Sequence, residues 1–302
     1  MHIPDGFLST PVWLTMNAIS VPAVGVLARR AHSHLDDSRI PLLGVMGAFV
    51  FAAQMINFPV GAGTSGHLVG GALLACTLGP AAATVVMTAI LAVQALVFQD
   101  GGVLSLGANV FNMAVLGVLA GYLPYHFWGA GRLRKFSFFA GGVLSVLVSA
   151  ALTVSQLLIS GIPMRTGVLA ISAGLFLISA LIEGLITVAV IGALEKLNPN
   201  WIHKPMSEGR LGMGLLASAA VLLAVVGVVV ASAAPDGLES LAEQIGLADK
   251  ATVLFSTPLA DYEANFLNSD WFRKAAAGMA GLMLIFGVCI LCGRMISRRR
   301  SA

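Results

Sequence analysis

The chain opens Met1-His2-Ile3-Pro4-Asp5-Gly6-Phe7-Leu8, with a histidine second from the amino end. At that position three nitrogens can close on one metal ion: the free amine of Met1, the amide nitrogen of His2, and His2 Nδ1. The chelate rings have five and six members, so neither is strained. An amide nitrogen binds this way only after losing its proton, which requires a strongly Lewis-acidic late metal. Ni²⁺ and Cu²⁺ favour square-planar nitrogen sites, with Co²⁺ a weaker candidate. Calcium and magnesium prefer oxygen and would not compete. Histidine is too large a second residue for ready removal of the initiator methionine, and residues 1–9 lack the positive region of a signal peptide. The mature protein is therefore expected to begin at or next to Met1 with a free amine, and Pro4 to stiffen the exit from the chelating segment. A histidine at position 2 is equally the second residue of a frayed tail. A matching fourth donor is needed.

That donor is offered by Asn57-Phe58-Pro59-Val60-Gly61-Ala62-Gly63-Thr64-Ser65-Gly66-His67. Ionisable residues inside membrane spans are rare and commonly functional. Of six histidines only His67 falls within a predicted span; His32, His34, His126 and His203 fall in loops and read as solvated. His67 is expected about six residues into a helix, roughly 9 Å deep at 1.5 Å per residue. An N-terminal segment folding back into the bundle from the same side would complete four nitrogens. The competing reading of His67 is a polar packing residue bonded to a neighbouring helix. Gln54, Asn57, Gln94, Asn109, Asn112, Gln156 and Glu183 are the other polar groups in spans. Glu183 could accept from a ligating imidazole N–H or make a packing bond. The amides, Asn57 among them, could orient His67 or line an access path, or serve only as interhelical glue.

Composition identifies the solvent of the elements that position these residues. Charged residues are 10% of the chain, apolar residues 58%, and mean hydropathy is +0.91. A water-soluble chain carries about a quarter charged residues, so this one reads as an all-α polytopic membrane bundle. Spans of about 20 apolar residues are predicted at about 10–28, 40–57, 61–78, 81–98, 104–123, 137–159, 168–194, 211–234 and 275–296. Gly79-Pro80 reads as a tight turn between the third and fourth. With nine spans and the N-terminus outside, Arg29, Arg30, Arg39, Arg132, Arg134, Lys135, Lys196, Lys204, Arg210, Arg294, Arg298, Arg299 and Arg300 fall inside. Outside fall only Arg165, Lys250, Arg273 and Lys274, as the positive-inside rule requires, which puts the C-terminus in the cytoplasm of a bacterial or archaeal plasma membrane. Cys76, Cys289 and Cys292 lie in apolar stretches and read as small packing residues rather than a disulfide or metal motif. No basic cluster is interleaved with aromatics on a soluble face, which argues against nucleic acid as a partner.

The chain divides into residues 1–205, with seven closely spaced spans, and residues 206–302, a two-helix hairpin with a long acidic outer loop. That loop carries Asp236, Glu239, Glu243, Asp249, Asp261, Glu263 and Asp270, which could concentrate cations or simply be solvated. Asp236 could also begin a short helix as N-cap, with Glu239 at N3. Gly63-Thr64-Ser65-Gly66 is similar to the nucleophile stretch of rhomboid-type intramembrane proteases, but no later span holds a histidine base and His67 is too near in sequence to serve Ser65 well. There is no phosphate-binding G-x-x-x-x-G-K-[ST] loop and no ladder of intramembrane acids. A metal-binding chain with no visible energy source implies a partner that supplies one; an autonomous secondary transporter is the alternative.

Met1-His2-Ile3-Pro4-Asp5-Gly6-Phe7-Leu8 and Gly63-Thr64-Ser65-Gly66-His67-Leu68-Val69-Gly70-Gly71 resemble the CbiM/NikM substrate-binding (S) components of energy-coupling factor nickel/cobalt importers. The resemblance covers residues 1 to about 200, and Pro235-Asp236-Gly237-Leu238-Glu239 resembles the PDGLE domain of the small CbiN/NikN-like partner component, here joined to it. It implies a non-enzymatic subunit whose metal, nickel or cobalt, is substrate and sits on the Met1 amine, the His2 amide and imidazole, and the His67 imidazole. Apart from the resemblance, Asn57, Ser65 and Glu183 are candidate supporting residues for that set. It implies as partners a transmembrane coupling (T) protein and two cytoplasmic ATPases, and no organic cofactor.

Overall fold

The computed structural model describes residues 1–35, 37–61, 64–202, 214, 217–218, 220–225 and 235–297. Helix α1 (Thr10–His34) is followed by the shorter α2 (Ile40–Gln54) and then, unexpectedly, by two antiparallel strands, β1 (Phe58–Gly61) and β2 (Thr64–Gly66). A short helix α3 (Gly71–Leu78) leads into α4 (Pro80–Phe98), α5 (Leu106–Trp128), α6 (Arg134–Ile159) and α7 (Thr166–Leu197). The C-terminal part contributes α8 (Gly237–Gln244) and α9 (Asp270–Ser297). Among the described residues six helices (α1, α4, α5, α6, α7 and α9) are long and apolar enough to cross a bilayer. The chain is an all-α polytopic membrane bundle. Most of the predicted span 211–234 lies outside the described residues.

The third predicted span, 61–78, is not one helix. Pro59 lacks an N–H and biases Phe58 away from helical angles. Gly61 has a φ of 113°, which an L side chain rarely adopts. The chain therefore pairs Phe58 with Gly66 and Pro59 with Ser65 before helix resumes at Gly71. Apolar composition alone cannot separate a buried hairpin from a half-span. Gly79, with a φ of 83°, and Pro80 at the first turn of α4 make the break that the dipeptide predicts.

Close helix contact rests on small residues, as expected where lipid supplies no hydrophobic drive. A Cβ on Gly142 of α6 would lie 2.8 Å from Gly184 Cα of α7. The C-terminal helix is seated in the same way. A Cβ on Gly47 of α2 would meet Cys289 Sγ at 2.7 Å, and one on Gly281 would meet Phe51 at 2.4 Å. Cys289 is thus a buried packing residue of the α2–α9 contact. The segment at Pro235 joins the hairpin through Ser65 N–H, which donates to Pro235 O at 2.8 Å.

Candidate metal site

The amino-terminal segment has its main chain held between residues 102–109 and Thr252. Ile3 N–H donates to Asn109 Oδ1 at 2.8 Å, and Ile3 O accepts from Asn109 Nδ2 and Gly102 N–H. The Asp5 carboxylate accepts from Val103 N–H and Ser105 N–H, at 2.9 and 3.0 Å. From the other side Thr252 N–H donates to Asp5 O. The approach is possible because Gly102 has no Cβ: one there would lie 2.0 Å from Asp5 Oδ1. Met1, His2 and Ile3 are 8%, 8% and 0% exposed, which excludes a frayed tail.

This folding brings the chelating end to His67. The Met1 amine lies 2.9 Å from His67 Nε2, and the His2 and His67 rings stack with centroids 5.5 Å apart. His67 is not inside a helix; it stands in the turn between β2 and α3, with its side chain 8% exposed. His67 Nδ1 is 3.1 Å from Leu68 O. A carbonyl only accepts, so Nδ1 carries the proton and Nε2 keeps its lone pair towards the amine. His2 Nδ1 is held by Asp100 Oδ1 at 2.8 Å, and Tyr262 O–H donates to the other oxygen of Asp100 at 2.6 Å. Burial and the neighbouring carboxylate push the Tyr262 hydroxyl well above its usual pKa, so it is a firm donor at neutral pH. The nitrogen that a chelate would use is therefore bonded to Asp100, and that bond has to open before Nδ1 can reach a metal.

Supporting residues take places the sequence leaves undecided. The Glu183 carboxylate accepts from Val69 N–H and Gly70 N–H, each at 2.8 Å. It grips the main chain just after His67, not an imidazole N–H. Gln94 donates to Gln54 Oε1, and Gln54 donates to Val69 O, so the amides brace the same turn. Asn112 and Gln156 instead bond each other and act as interhelical glue. Ser65 is fully buried in β2. Asn57 lines a cavity of about 300 Å³ together with His2, His67, Asp100 and Asp236. Replacing Glu183 by alanine leaves two buried N–H groups without an acceptor, at about 1–3 kcal/mol each. A lower midpoint of thermal unfolding in detergent is the expected result; an unchanged midpoint would contradict this bracing role.

Asp236, read from the sequence as an N-cap or as one residue of the acidic outer loop, is a direct neighbour of the amine. It does N-cap α8: Oδ1 accepts from Leu238 N–H and Glu239 N–H, and the Glu239 side chain accepts from Asp236 N–H. Its other oxygen forms an ion pair with the Met1 ammonium and lies 3.6 Å from His67 Nε2. Burial alone would raise its pKa, but the ammonium and His67 hold it well below the usual carboxylate range. Of the acidic outer loop, Asp236, Glu239 and Asp261 line the cavity, whereas Glu263 pairs with Arg273. Among the described residues no group of three or more His, Cys, Asp or Glu side chains is arranged to hold a metal.

The family model described as the cobalt uptake substrate-specific transmembrane region, CbiM, matches residues 2–201. The chain belongs to the CbiM family. A PDGLE domain matches residues 211–298. A protein of Haloquadratum walsbyi described as a putative metal transport protein is 38% identical, over 70% of this chain and 97% of its own. A putative fused nickel transport protein, NikMN, of Archaeoglobus fulgidus is 30% identical, over 95% of this chain and 96% of its own. A crystal structure of a truncated transition metal transporter is 34% identical, with a TM-score of 0.58, over 65% of this chain and 99% of that one. CbiM proteins are transition metal transporters, not enzymes, so the protease reading of Ser65 falls away.

Proposed function

We propose that this CbiM-family chain is the metal-capturing subunit of an ATP-driven importer of the energy-coupling factor type. Its substrate is Ni²⁺ or Co²⁺, bound by the Met1 amine, the His2 amide nitrogen and Nδ1, and His67 Nε2. The observation that carries this reading is the buried amine 2.9 Å from His67 Nε2. Metal–nitrogen bonds of about 2 Å put adjacent corners of a square about 2.8 Å apart. The two outer donors of a square-planar nitrogen set already stand at that spacing. Both metals remain candidates: the family description speaks of cobalt, and the name of the Archaeoglobus fulgidus relative speaks of nickel.

Residues 1–205 form the metal-binding part and residues 206–302 the PDGLE-like part, in one chain. The N-terminus and the metal site face outside, and the C-terminus is cytoplasmic, in line with the distribution of Lys and Arg. The energy source is a T protein and two cytoplasmic ATPases. Reconstitution tests this. Vesicles holding this chain alone should accumulate no more Ni²⁺ or Co²⁺ than empty vesicles, and vesicles with the T protein, both ATPases and ATP should accumulate it. Concentrative uptake by the chain alone would make it an autonomous secondary transporter instead.

A further inference from the structure

We propose that Asp236 is the charge-balancing carboxylate of the metal-loaded site, supplied by the PDGLE-like part of the chain; this rests on the metal site proposed above. The Met1 ammonium has His67 Nε2 at 2.9 Å and forms an ion pair with Asp236 Oδ2. A metal that binds both nitrogens takes the place of the proton between them without driving them apart. The coordinated amine keeps two N–H groups, so one still donates to Asp236. Charge is conserved as well. The ammonium carries +1, and a divalent ion bound to one deprotonated amide and three neutral nitrogens also carries +1. The charge that Asp236 faces is therefore the same in both states, in a place where an uncompensated charge is costly.

The carboxylate is held rigidly enough for this. Oδ1 is committed to Leu238 N–H at 2.7 Å and Glu239 N–H at 2.9 Å, which leaves Oδ2 to the site. Glu239 returns a bond to Asp236 N–H at 2.8 Å, and Pro235 O is pinned by Ser65 N–H. A Cβ on Gly237 would lie 2.9 Å from the Phe176 ring, so the segment is also seated against α7. The metal site is therefore completed by a residue 235 positions away from the amine it faces.

The opposed possibility is that Asp236 competes with metal for the amine. Release kinetics separate the two. Full-length protein with an unblocked amino end is loaded with Ni²⁺, and its loss to excess chelator is timed. Asp236→Asn keeps an N-cap oxygen and removes the charge. It should release Ni²⁺ about tenfold faster, in keeping with the coupling of close buried charges. Asp236→Ser, a second neutral cap, should behave alike if the asparagine variant folds poorly. Release at the wild-type rate or slower overturns the proposal, slower release identifying a competitor. His67→Ala is the control: if it holds Ni²⁺ as wild type does, the metal site itself is wrong; if it loses Ni²⁺ while Asp236→Asn is unchanged, only the role of Asp236 is.

Discussion

Replacing His67 by alanine is expected to weaken nickel or cobalt binding by about a thousandfold, roughly 4 kcal/mol, and to leave purified protein without metal. The imidazole is the one donor of the proposed set that does not come from the first two residues. It is presented with its lone pair outward because Nδ1 is tied to Leu68 O. Without it three donors remain on the first two residues, and the fourth corner opens to water. His2→Ala removes the six-membered ring and should be as damaging. The fold should tolerate His67→Ala, because the turn is held through main-chain N–H groups by Glu183 and not through the ring. Metal content by atomic spectroscopy and titration with Ni²⁺ would measure the loss, and a thermal midpoint near the wild-type value would separate it from misfolding. Metal content equal to wild type would remove His67 from the site.

Blocking the Met1 amine is expected to have an equal effect with no change of side chain. Acetylation converts the amine to an amide, whose nitrogen offers no donor pair unless a second amide proton is lost, and it also removes the positive partner of Asp236. An N-terminal tag does the same and adds chain where Met1 is 8% exposed. The expected outcome is loss of tight binding in both forms, and recovery when a protease removes the tag to regenerate the original amine. Undiminished affinity of the acetylated protein for Ni²⁺ would exclude the amine as a donor, whatever His67 does.

The local chemistry was legible in the sequence. A histidine next to the amino end offers a chelate, since the three nitrogens concerned lie within two residues. The helices that cross the bilayer announce themselves by length and hydropathy, since each satisfies its own backbone hydrogen bonds. Asp236 and Glu239 announce a capping box for the same reason: the partners are three residues apart.

What the tertiary structure decided are the relations between residues distant in the chain. Nothing periodic marks Asp236 as the neighbour of Met1, Asp100 as the partner of His2, or Glu183 as the clamp on Val69 and Gly70. The short hairpin at 58–66 was hidden as well, because in an apolar run strand and helix look alike until Pro59 and Gly61 take their backbone angles. Donor types are a property of side chains and can be read in one dimension. Which of them share a site depends on which faces the helices bury, and that is settled only when the bundle closes.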